Sequence, residues 1–205
     1  MPRVSEEHLE RRRQQILDAA RACFIRKGFH ETSMQDIFAE ANLSAGAVYR
    51  YFKSKTEIVE AIAAEALSVL GAVLHEIAAE QPPPSPDEAV ERVATKVVEI
   101  GESHLGTFVL APHAWALAMR DAGFKEYVQG AMAPVRALWT TYAENLRDAG
   151  RIPQDADPDA VGRTLLALLP GFIIQRGILG DVSPETLGEG LHALMSVAPT
   201  SARPS

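Results

Sequence analysis

The sequence TSMQDIFAEANLSAGAVYRYFKSKTEI, residues 32–58, contains the start signals of three successive helices. Ser33 is a favoured N-cap, because its hydroxyl can accept a hydrogen bond from a backbone N–H of the first turn. Asp36 lies three residues later, where its carboxylate can accept from the backbone N–H of Ser33 in a variant of the capping box. Apolar residues then recur at helical spacing: Met34, Ile37 and Phe38. A short helix is therefore predicted after Ser33.

A tight turn separates this helix from the next one. Asn42 tolerates the left-handed backbone conformation that such a turn needs, and Ser44 is a second N-cap. We expect the helix after Ser44 to run to about Tyr51. Two capped helices joined by a short turn are typical of a helix-turn-helix unit, in which the start of the second helix enters the DNA major groove. That start is Ser44, Ala45 and Gly46, and these small residues allow the backbone to approach DNA closely.

The segment from about Arg11 to Glu65 resembles the DNA-binding domain of the TetR family of transcriptional regulators. The resemblance rests on a Gly-aromatic step, a Thr-Ser pair, an Asp-Ile pair and a final Gly, Tyr, aromatic and Lys-x-Lys pattern: Gly28-Phe29, Thr32-Ser33, Asp36-Ile37, Gly46, Tyr49, Phe52, Lys53 and Lys55. It implies an all-α chain with an N-terminal three-helix DNA-binding domain that contains the helix-turn-helix. It also implies a C-terminal helical domain for ligand binding and dimerisation.

Ten residues of this segment are candidates for contact with double-stranded DNA. Hydroxyl side chains at a helix N-terminus can bind a phosphate, and an arginine can bind guanine through two hydrogen bonds. The resemblance implies DNA contacts at Tyr49 and Tyr51, and of the two lysines we expect Lys55 to be the stronger phosphate contact. The full set is Thr32, Ser33, Ser44, Ala45, Gly46, Tyr49, Arg50, Tyr51, Lys53 and Lys55.

The charge of the chain is divided unevenly along its length. Residues 1–56 contain ten Lys and Arg against seven Asp and Glu, a net charge of +3. Residues 57–205 contain ten against twenty, a net charge of −10, so the whole chain carries −7. Phosphates attract a basic segment and repel an acidic one, so DNA contact is expected from the N-terminal part alone. An acidic surface that only aids solubility would give the same pattern in the rest of the chain.

The composition favours a helical, soluble protein. Hydrophobic residues make up 47% of the 205 residues, and no segment has a strong strand signal. The single cysteine, Cys23, excludes an intramolecular disulfide and is expected to be buried on the apolar face of the first helix. The charged N-terminus lacks a signal core, and the apolar run 165–174 is too short to span a bilayer. We expect a cytoplasmic protein with no membrane association and no cofactor.

Seven further helices are predicted, and proline-rich sequence marks the clearest loop. The segment QPPPSP at 81–86 cannot be helical. The predicted helices cover residues 10–27, 55–80, 87–102, 106–121, 124–149, 158–179 and 184–197, after a mobile arm at 1–9. Three of them can be kinked or split by proline: Pro112, Pro134 and Pro170.

Aromatic and polar side chains in the second half of the chain are candidates for a small-molecule pocket. Such pockets are mostly apolar, with a few polar groups that fix the orientation of the ligand. The candidate set is Phe108, His113, Trp115, Met119, Phe124, Tyr127, Trp139, Tyr142, Phe172 and Gln175. Each aromatic residue could equally belong to the ordinary core. An apolar or aromatic small molecule would suit this set.

Metal and catalytic motifs are absent from the sequence. His104 and His113 lie nine residues apart with Glu102 nearby, which is not a metal-ligand spacing, so no metal site is expected. There is no Gly-rich phosphate loop, no nucleophile elbow and no carboxylate pair in a catalytic motif. We therefore do not expect an enzyme.

An apolar helix near the C-terminus is the candidate for dimer formation. Between Leu165 and Ile178 the apolar residues cover nearly the whole circumference, whereas the core of one chain covers one side. The predicted interface is a four-helix arrangement that two chains build from Leu165, Leu169, Ile173, Ile174, Ile178, Leu187, Leu191 and Leu194. A two-fold homodimer requires a palindromic operator.

The sequence therefore predicts a homodimeric regulator that binds a palindromic operator and is released from it by a small molecule; the resemblance implies repression. Its domains are placed at 1–56 for DNA binding and 57–197 for effector binding and dimerisation, with a disordered tail at 198–205. Two alternatives stay open. The first is a helix-turn-helix regulator controlled by a protein partner, and the second is an all-α enzyme fused to a DNA-binding domain.

Overall fold

The computed structural model describes residues 6–102 and 106–196, and these residues form nine α-helices and no β-strand. The helices are α1 (Glu6–Lys27), α2 (Met34–Glu40), α3 (Ala45–Tyr49), α4 (Lys55–Ala79), α5 (Pro86–Glu102), α6 (Thr107–Ala118), α7 (Ala122–Asp148), α8 (Pro158–Ile178) and α9 (Pro184–Met195). The prediction of an all-α chain is confirmed, and every predicted helix is present. The tail predicted at 198–205 lies outside the described residues.

Helix α1 begins earlier than expected. The prediction of a mobile arm is wrong for residues 6–9, because Glu6 already lies in α1. Glu6 and Glu7 occupy the first turn, where the positive end of the helix dipole stabilises carboxylates. The other residues assigned to the arm, 1–5, lie outside the described residues.

The predicted caps of α2 and α3 are present and explain where both short helices begin. The Ser33 side chain accepts from the backbone N–H of Asp36, and the Asp36 carboxylate accepts from the backbone N–H of Ser33 at 2.8 Å. Asn42 has a left-handed φ of 50°, and the Ser44 side chain accepts from a backbone N–H of the first turn of α3. Helix α3 ends at Tyr49, earlier than the expected end.

One apolar cluster joins α1, α2, α3 and the first turns of α4, a group that we call the head (residues 6–65). Phe24, Ile37, Val48 and Ile58 represent the four helices in this cluster, and each is fully buried. Cys23 lies in the same cluster, which confirms the expected burial, and desolvation raises the pKa of its thiol. Burial of this apolar surface stabilises the head by roughly 25 cal/mol for each Å² removed from water.

The described residues divide into two compact units. The first contains those of Met1–Ala72 and Val97–Arg136, and the second contains those of Val73–Lys96 and Ala137–Ser205. Compactness therefore groups α6 and the first half of α7 with the head. Leu110 and Leu117 of α6 pack against the head cluster, which is the physical reason for this grouping. The domain boundary between residues 56 and 57 divides the chain by function and stays a prediction.

The second unit is held together by a close helix contact and by buried hydrogen bonds. Gly162 of α8 lies so near α7 that a Cβ at this position would be 2.9 Å from the backbone nitrogen of Thr140. The Tyr142 hydroxyl donates to the carbonyl of Pro84 at 2.8 Å. The loop that contains Pro84 joins α4 to α5 and is non-helical at residues 81–85, as predicted. The prediction is wrong for Pro86, which is the first residue of α5, where proline is tolerated because the N–H that it lacks has no partner within the helix.

Helices α6, α7 and α8 continue through their internal prolines, so none of the three is split at Pro112, Pro134 or Pro170. Helix α4 is long and apolar enough to cross a membrane by length and composition alone. Its residues Ile58 and Ile62, however, belong to the buried head cluster. The packing of α4 thus accounts for the apolar character of its first turns.

Candidate nucleic-acid interface

The start of α3 is open on the surface of the head. Ser44, Ala45 and Gly46 are all exposed, and Val48 anchors the short helix by its full burial in the head cluster. A Cβ placed on Gly46 would meet no atom within 4 Å. The fold of the chain therefore gives no steric reason for glycine at this helical position, although glycine costs helix stability. A surface with this backbone access can receive a close-packed partner.

Tyr49 and Arg50 continue this exposed surface beyond the start of α3. Tyr49 is 41% exposed, and its ring packs edge-to-face on Phe38 of α2 with the ring centres 5.3 Å apart. This contact holds one face of a residue that is otherwise open to solvent. Arg50 is exposed, whereas Tyr51 is half-buried against the head cluster. The structure therefore brings Tyr49 and Arg50 together with the start of α3 and turns part of Tyr51 inward.

The pair Thr32-Ser33 before α2 divides into one exposed and one buried side chain. Ser33 is exposed, and its hydroxyl donates to the Asp36 carboxylate at 2.7 Å. Thr32 is only 1% exposed, and its hydroxyl lies 2.8 Å from the carbonyl oxygen of Gly28, to which it donates. The assignment of the Thr32 side chain to a phosphate is therefore corrected, because that hydroxyl is enclosed and already bonded inside the head.

The two lysines at the start of α4 have different surroundings. Lys53 is exposed; its backbone N–H donates to the Glu57 carboxylate at 2.6 Å, and its ammonium donates to the carbonyl of Tyr49. Lys55 is half-buried, and its ammonium donates to the carbonyls of Phe29 at 2.6 Å and Thr32 at 2.8 Å. Lys53 thus lies on the exposed surface beside Tyr49, whereas Lys55 is directed into the head.

Ion pairs between α1 and α2 neutralise the carboxylates next to the helix-turn-helix. Lys27 pairs with Asp36, and Arg26 pairs with Glu40 at 2.7 Å. The hydrogen bond from Lys27 and the bonds from Ser33 hold the pKa of Asp36 well below its usual range. The acidic side chains of α2 are therefore compensated by basic residues of α1, so they repel a polyanion less than isolated carboxylates would.

A buried arginine network connects α1 to α4 in the head. Arg21 is 1% exposed and donates to the carboxylates of Asp18, at 2.8 Å, and Glu65. Arg13 donates to the other oxygen of Glu65 at 3.0 Å and lies over the ring of Phe52. The sequence did not predict this network. A lone arginine among the apolar residues of α1 was its only signal, because Arg21 and Glu65 are 44 positions apart.

The ten pocket candidates divide between the two compact units, and most of them take part in packing. Six, from Phe108 to Tyr127, belong to the first unit, and four, from Trp139 to Gln175, belong to the second. Met119 is 80% exposed, so its assignment to an enclosed pocket is corrected. Gln175 is also exposed.

Four aromatic side chains of this set are core residues within their own units. The residues with at most 1% exposure are Phe124, Trp139, Tyr142 and Phe172. The Tyr127 hydroxyl donates to the carbonyl of Glu60 at 2.6 Å, and its half-buried ring lies beside that of Phe124. Phe108, His113 and Trp115 are half-buried on α6. The indole N–H of Trp139 is buried without a hydrogen-bond acceptor among the described residues.

The eight dimer candidates fall into buried and exposed groups. Leu165, Leu169 and Ile173 are buried in their own chain, so their assignment to the interface is corrected. Helix α8 uses one apolar face for its own unit, and the prediction could not tell which residues lie on it. Leu187 and Leu191 are half-buried. The exposed group is Ile174, Ile178 and Leu194, together with Leu179 and Met195.

Metal-binding side chains do not cluster in residues 6–102 and 106–196: no group of three His, Cys, Asp or Glu there could hold an ion. His104 lies outside the described residues.

Two family models match the chain and together cover more than half of it. The model described as bacterial regulatory proteins, tetR family, matches residues 16–62, which contain the helix-turn-helix. The model described as BetI-type transcriptional repressor, C-terminal, matches residues 106–196.

Known proteins are similar over about a third of the chain or over most of it. The HTH-type transcriptional repressor Rv1474c of Mycobacterium tuberculosis is 38% identical over 73 residues, which are 36% of this chain and 39% of that protein. The HTH-type transcriptional regulator UidR of Escherichia coli is 26% identical over 192 residues, 89% of this chain and 90% of that protein. Salmonella enterica GusR has the same fold, with a TM-score of 0.73 at 24% identity over 96% of this chain and 100% of that one.

Proposed function

Because this chain belongs to the TetR family of bacterial transcriptional regulators, we propose that it represses transcription by placing α3 of two subunits on a palindromic operator. Members of this family bind DNA operators and function as dimers. The observation that carries the proposal is the exposed start of α3, where Gly46 leaves backbone space that the fold does not use. Repression is supported by the similarity to Rv1474c, which is named a repressor.

The exposed side chains divide into base-reading and phosphate-binding candidates. Ser44, Ala45 and Gly46 lie at the helix start that enters the groove, and Arg50 has the donors for guanine. Tyr49 offers a hydroxyl to a base edge or a phosphate. Phosphate contact falls to Ser33 and Lys53, which are exposed on either side of the helix-turn-helix. Such contacts fix the register of the protein on DNA without reading sequence.

The exposed apolar residues of α8 and α9 are the proposed dimer contact. Along α8, Ala167, Gly171, Ile174 and Ile178 recur at spacings of four, three and four, which places them on one face. Ile178 is 77% exposed and Leu194 of α9 is 76% exposed in the single chain. Water-exposed apolar side chains of this size on consecutive helices are characteristic of a contact surface. The small residues at 167 and 171 allow two helices to approach closely.

We propose an apolar or aromatic small molecule as the effector, with a hydrogen-bond acceptor for the buried indole N–H of Trp139. A buried donor without a partner costs about 1–3 kcal/mol, so an acceptor at this position would be favourable. An effector must bind the DNA-bound and free conformations with different affinity to release the operator. A thermal-shift screen followed by DNA titration tests this: a true effector raises the melting temperature and weakens DNA binding over one concentration range. Binding that leaves DNA affinity unchanged would contradict the effector role.

Selection of duplexes from a random pool tests the DNA-binding proposal directly. The enriched sites should contain two half-sites related by two-fold symmetry, with centres about one helical turn or a multiple of it apart. Sedimentation of the same protein should give a dimer. A single asymmetric half-site, or a 22.2 kDa monomer bound to the enriched DNA, would contradict the proposal. Such a regulator would act in the cytoplasm, where the chromosome lies.

A further inference from the structure

The ammonium of Lys55 contacts the turn that connects α1 to α2. It donates to the carbonyl oxygens of Phe29 and Thr32 at 2.6 and 2.8 Å, and it lies 4.3 Å from the centre of the Phe29 ring. Phe29 is itself 8% exposed and packs on Phe24 in the head cluster, with the ring centres 5.5 Å apart. The lysine therefore contacts a fixed part of the head through two hydrogen bonds and one aromatic face.

The backbone carbonyl groups of this turn have few other hydrogen-bond donors. Helix α1 ends at Lys27, and Gly28 adopts a φ of +82°, so the residues from 28 to 33 form no helix. Carbonyl groups in such a turn need donors from elsewhere in the molecule. The Thr32 hydroxyl donates to the carbonyl of Gly28, and the Lys55 ammonium donates to the carbonyls of Phe29 and Thr32.

The position of Lys55 in α4 also argues for this pairing. Lys55 is the first residue of α4, where the positive end of the helix dipole disfavours a cation. The two carbonyl oxygens and the electron-rich face of Phe29 offset that repulsion. An ammonium has three donors, and the two carbonyls take two of those of Lys55, so at most one is left for a phosphate. Burial lowers the pKa of Lys55, as expected for a cation withdrawn from water.

We propose that Lys55 is a positioning residue for DNA binding: it fastens the α1–α2 turn to the start of α4 and so fixes the orientation of α2 and of α3 on the operator. The proposal rests on the DNA-binding function proposed above. Helix α2 supports α3 directly, through the contact of Phe38 with Tyr49 and through the turn at Asn42. A loose turn at residues 28–33 would let α2 and α3 shift together.

Salt dependence separates a positioning lysine from a phosphate-binding one. Each neutralised phosphate contributes about 0.9 to the slope of log affinity against log salt, so loss of one contact in each head of a dimer removes about 1.8. We compare Lys55→Met, which keeps the apolar stem, with Lys53→Met as the matched control. The probe is the duplex that the wild-type protein selects from a random pool. Binding is measured well below the melting temperature of each variant.

Lys55→Met should weaken binding by the same factor at every salt concentration, with a wild-type slope and a lower melting temperature. Lys53→Met should lose about 1.8 of the slope and lower the melting temperature less than Lys55→Met does, because it removes one exposed hydrogen bond and no buried one. A purely structural role for Lys55 would lower the melting temperature and leave the affinity of the folded variant unchanged, which would overturn the positioning role. A slope loss in Lys55→Met equal to that in Lys53→Met would also overturn it, in favour of phosphate contact.

If Lys55→Met does not fold, the same measurements are made on Lys55→Gln. Its amide can still donate to a turn carbonyl but carries no charge. If Lys55 is a positioning residue and both variants fold, Lys55→Gln should bind DNA more tightly than Lys55→Met. If only Lys55→Gln folds, it should bind with the wild-type salt slope. Phosphate contact predicts the full slope loss. If the wild-type protein enriches no duplex, the proposed DNA-binding function itself is wrong. If the wild-type protein binds and Lys55→Gln loses slope, only the positioning role of Lys55 is wrong.

Discussion

Replacement of Gly46 by alanine should affect the stability of the head and its affinity for DNA in opposite directions. Gly46 is the second residue of α3, and a Cβ there meets no atom within 4 Å in the free protein. Alanine is more favourable than glycine in a helix by roughly 0.5–1 kcal/mol. Gly46→Ala should therefore leave the unfolding free energy unchanged or raise it by up to that amount.

DNA binding should respond in the opposite direction. If the backbone at Gly46 lies in van der Waals contact with the DNA, the new methyl group overlaps the atoms that it meets. Overpacking of this kind costs about 1–3 kcal/mol, and each 1.4 kcal/mol is a factor of ten in affinity. We therefore expect a loss of about fivefold to 150-fold for each head.

The assay is a fluorescence anisotropy titration of the selected duplex at fixed salt, paired with thermal unfolding of the same sample. Gly130→Ala is the matched control, because Gly130 is an exposed glycine of α7 with no atom within 4 Å of a Cβ. It should gain similar helix stability and bind DNA like the wild type. Unchanged DNA affinity in Gly46→Ala would refute the reasoning, and so would an equal loss in both variants.

Three further substitutions test the remaining parts of the proposed mechanism. Tyr49→Phe keeps the ring contact with Phe38 and removes the hydroxyl, so a gel-shift titration should show weaker binding, by about 1–3 kcal/mol at a base edge and less at a phosphate. Ile178→Asp should place charges in the dimer contact, and sedimentation should then give a 22.2 kDa monomer; a persistent dimer would exclude Ile178 from the interface. The pKa of Asp36 is lowered by Lys27, so its ion pair stabilises the head above about pH 4 and is lost as the pH falls below that value. Asp36→Asn should remove this acid-dependent loss, and a melting profile of the variant that falls like the wild type in acid would contradict it.

Local signals made the head predictable from the sequence. The caps at Ser33 and Ser44 and the left-handed Asn42 depend on residues within four positions of one another, so the sequence contains both partners of each interaction. The helix-turn-helix pattern of these two helices added the start of α3 at Gly46 as the surface that approaches DNA. These features fix the two short helices and the surface that we assign to DNA.

Long-range partners explain what the sequence did not predict. Lys55 bonds to carbonyls 23 and 26 positions away, and Arg21 bonds to a carboxylate 44 positions away, so neither role has a local pattern. Thr32 has the residue type of a phosphate ligand but is enclosed by its own turn. In α8 the apolar residues surround the helix, and only packing shows that Leu165 faces inward while Ile178 faces water.

The burial of Cys23 makes the protein its own reporter of local opening. The chain has one thiol, it is fully enclosed in the head cluster, and its raised pKa keeps it protonated at neutral pH. A thiol reagent can therefore reach Cys23 only when α1 separates from α2 and α3. The rate of labelling then reports how often the head opens. A cysteine introduced on the surface would react with a fluorophore before the buried Cys23 does, so Cys23 would not need to be replaced.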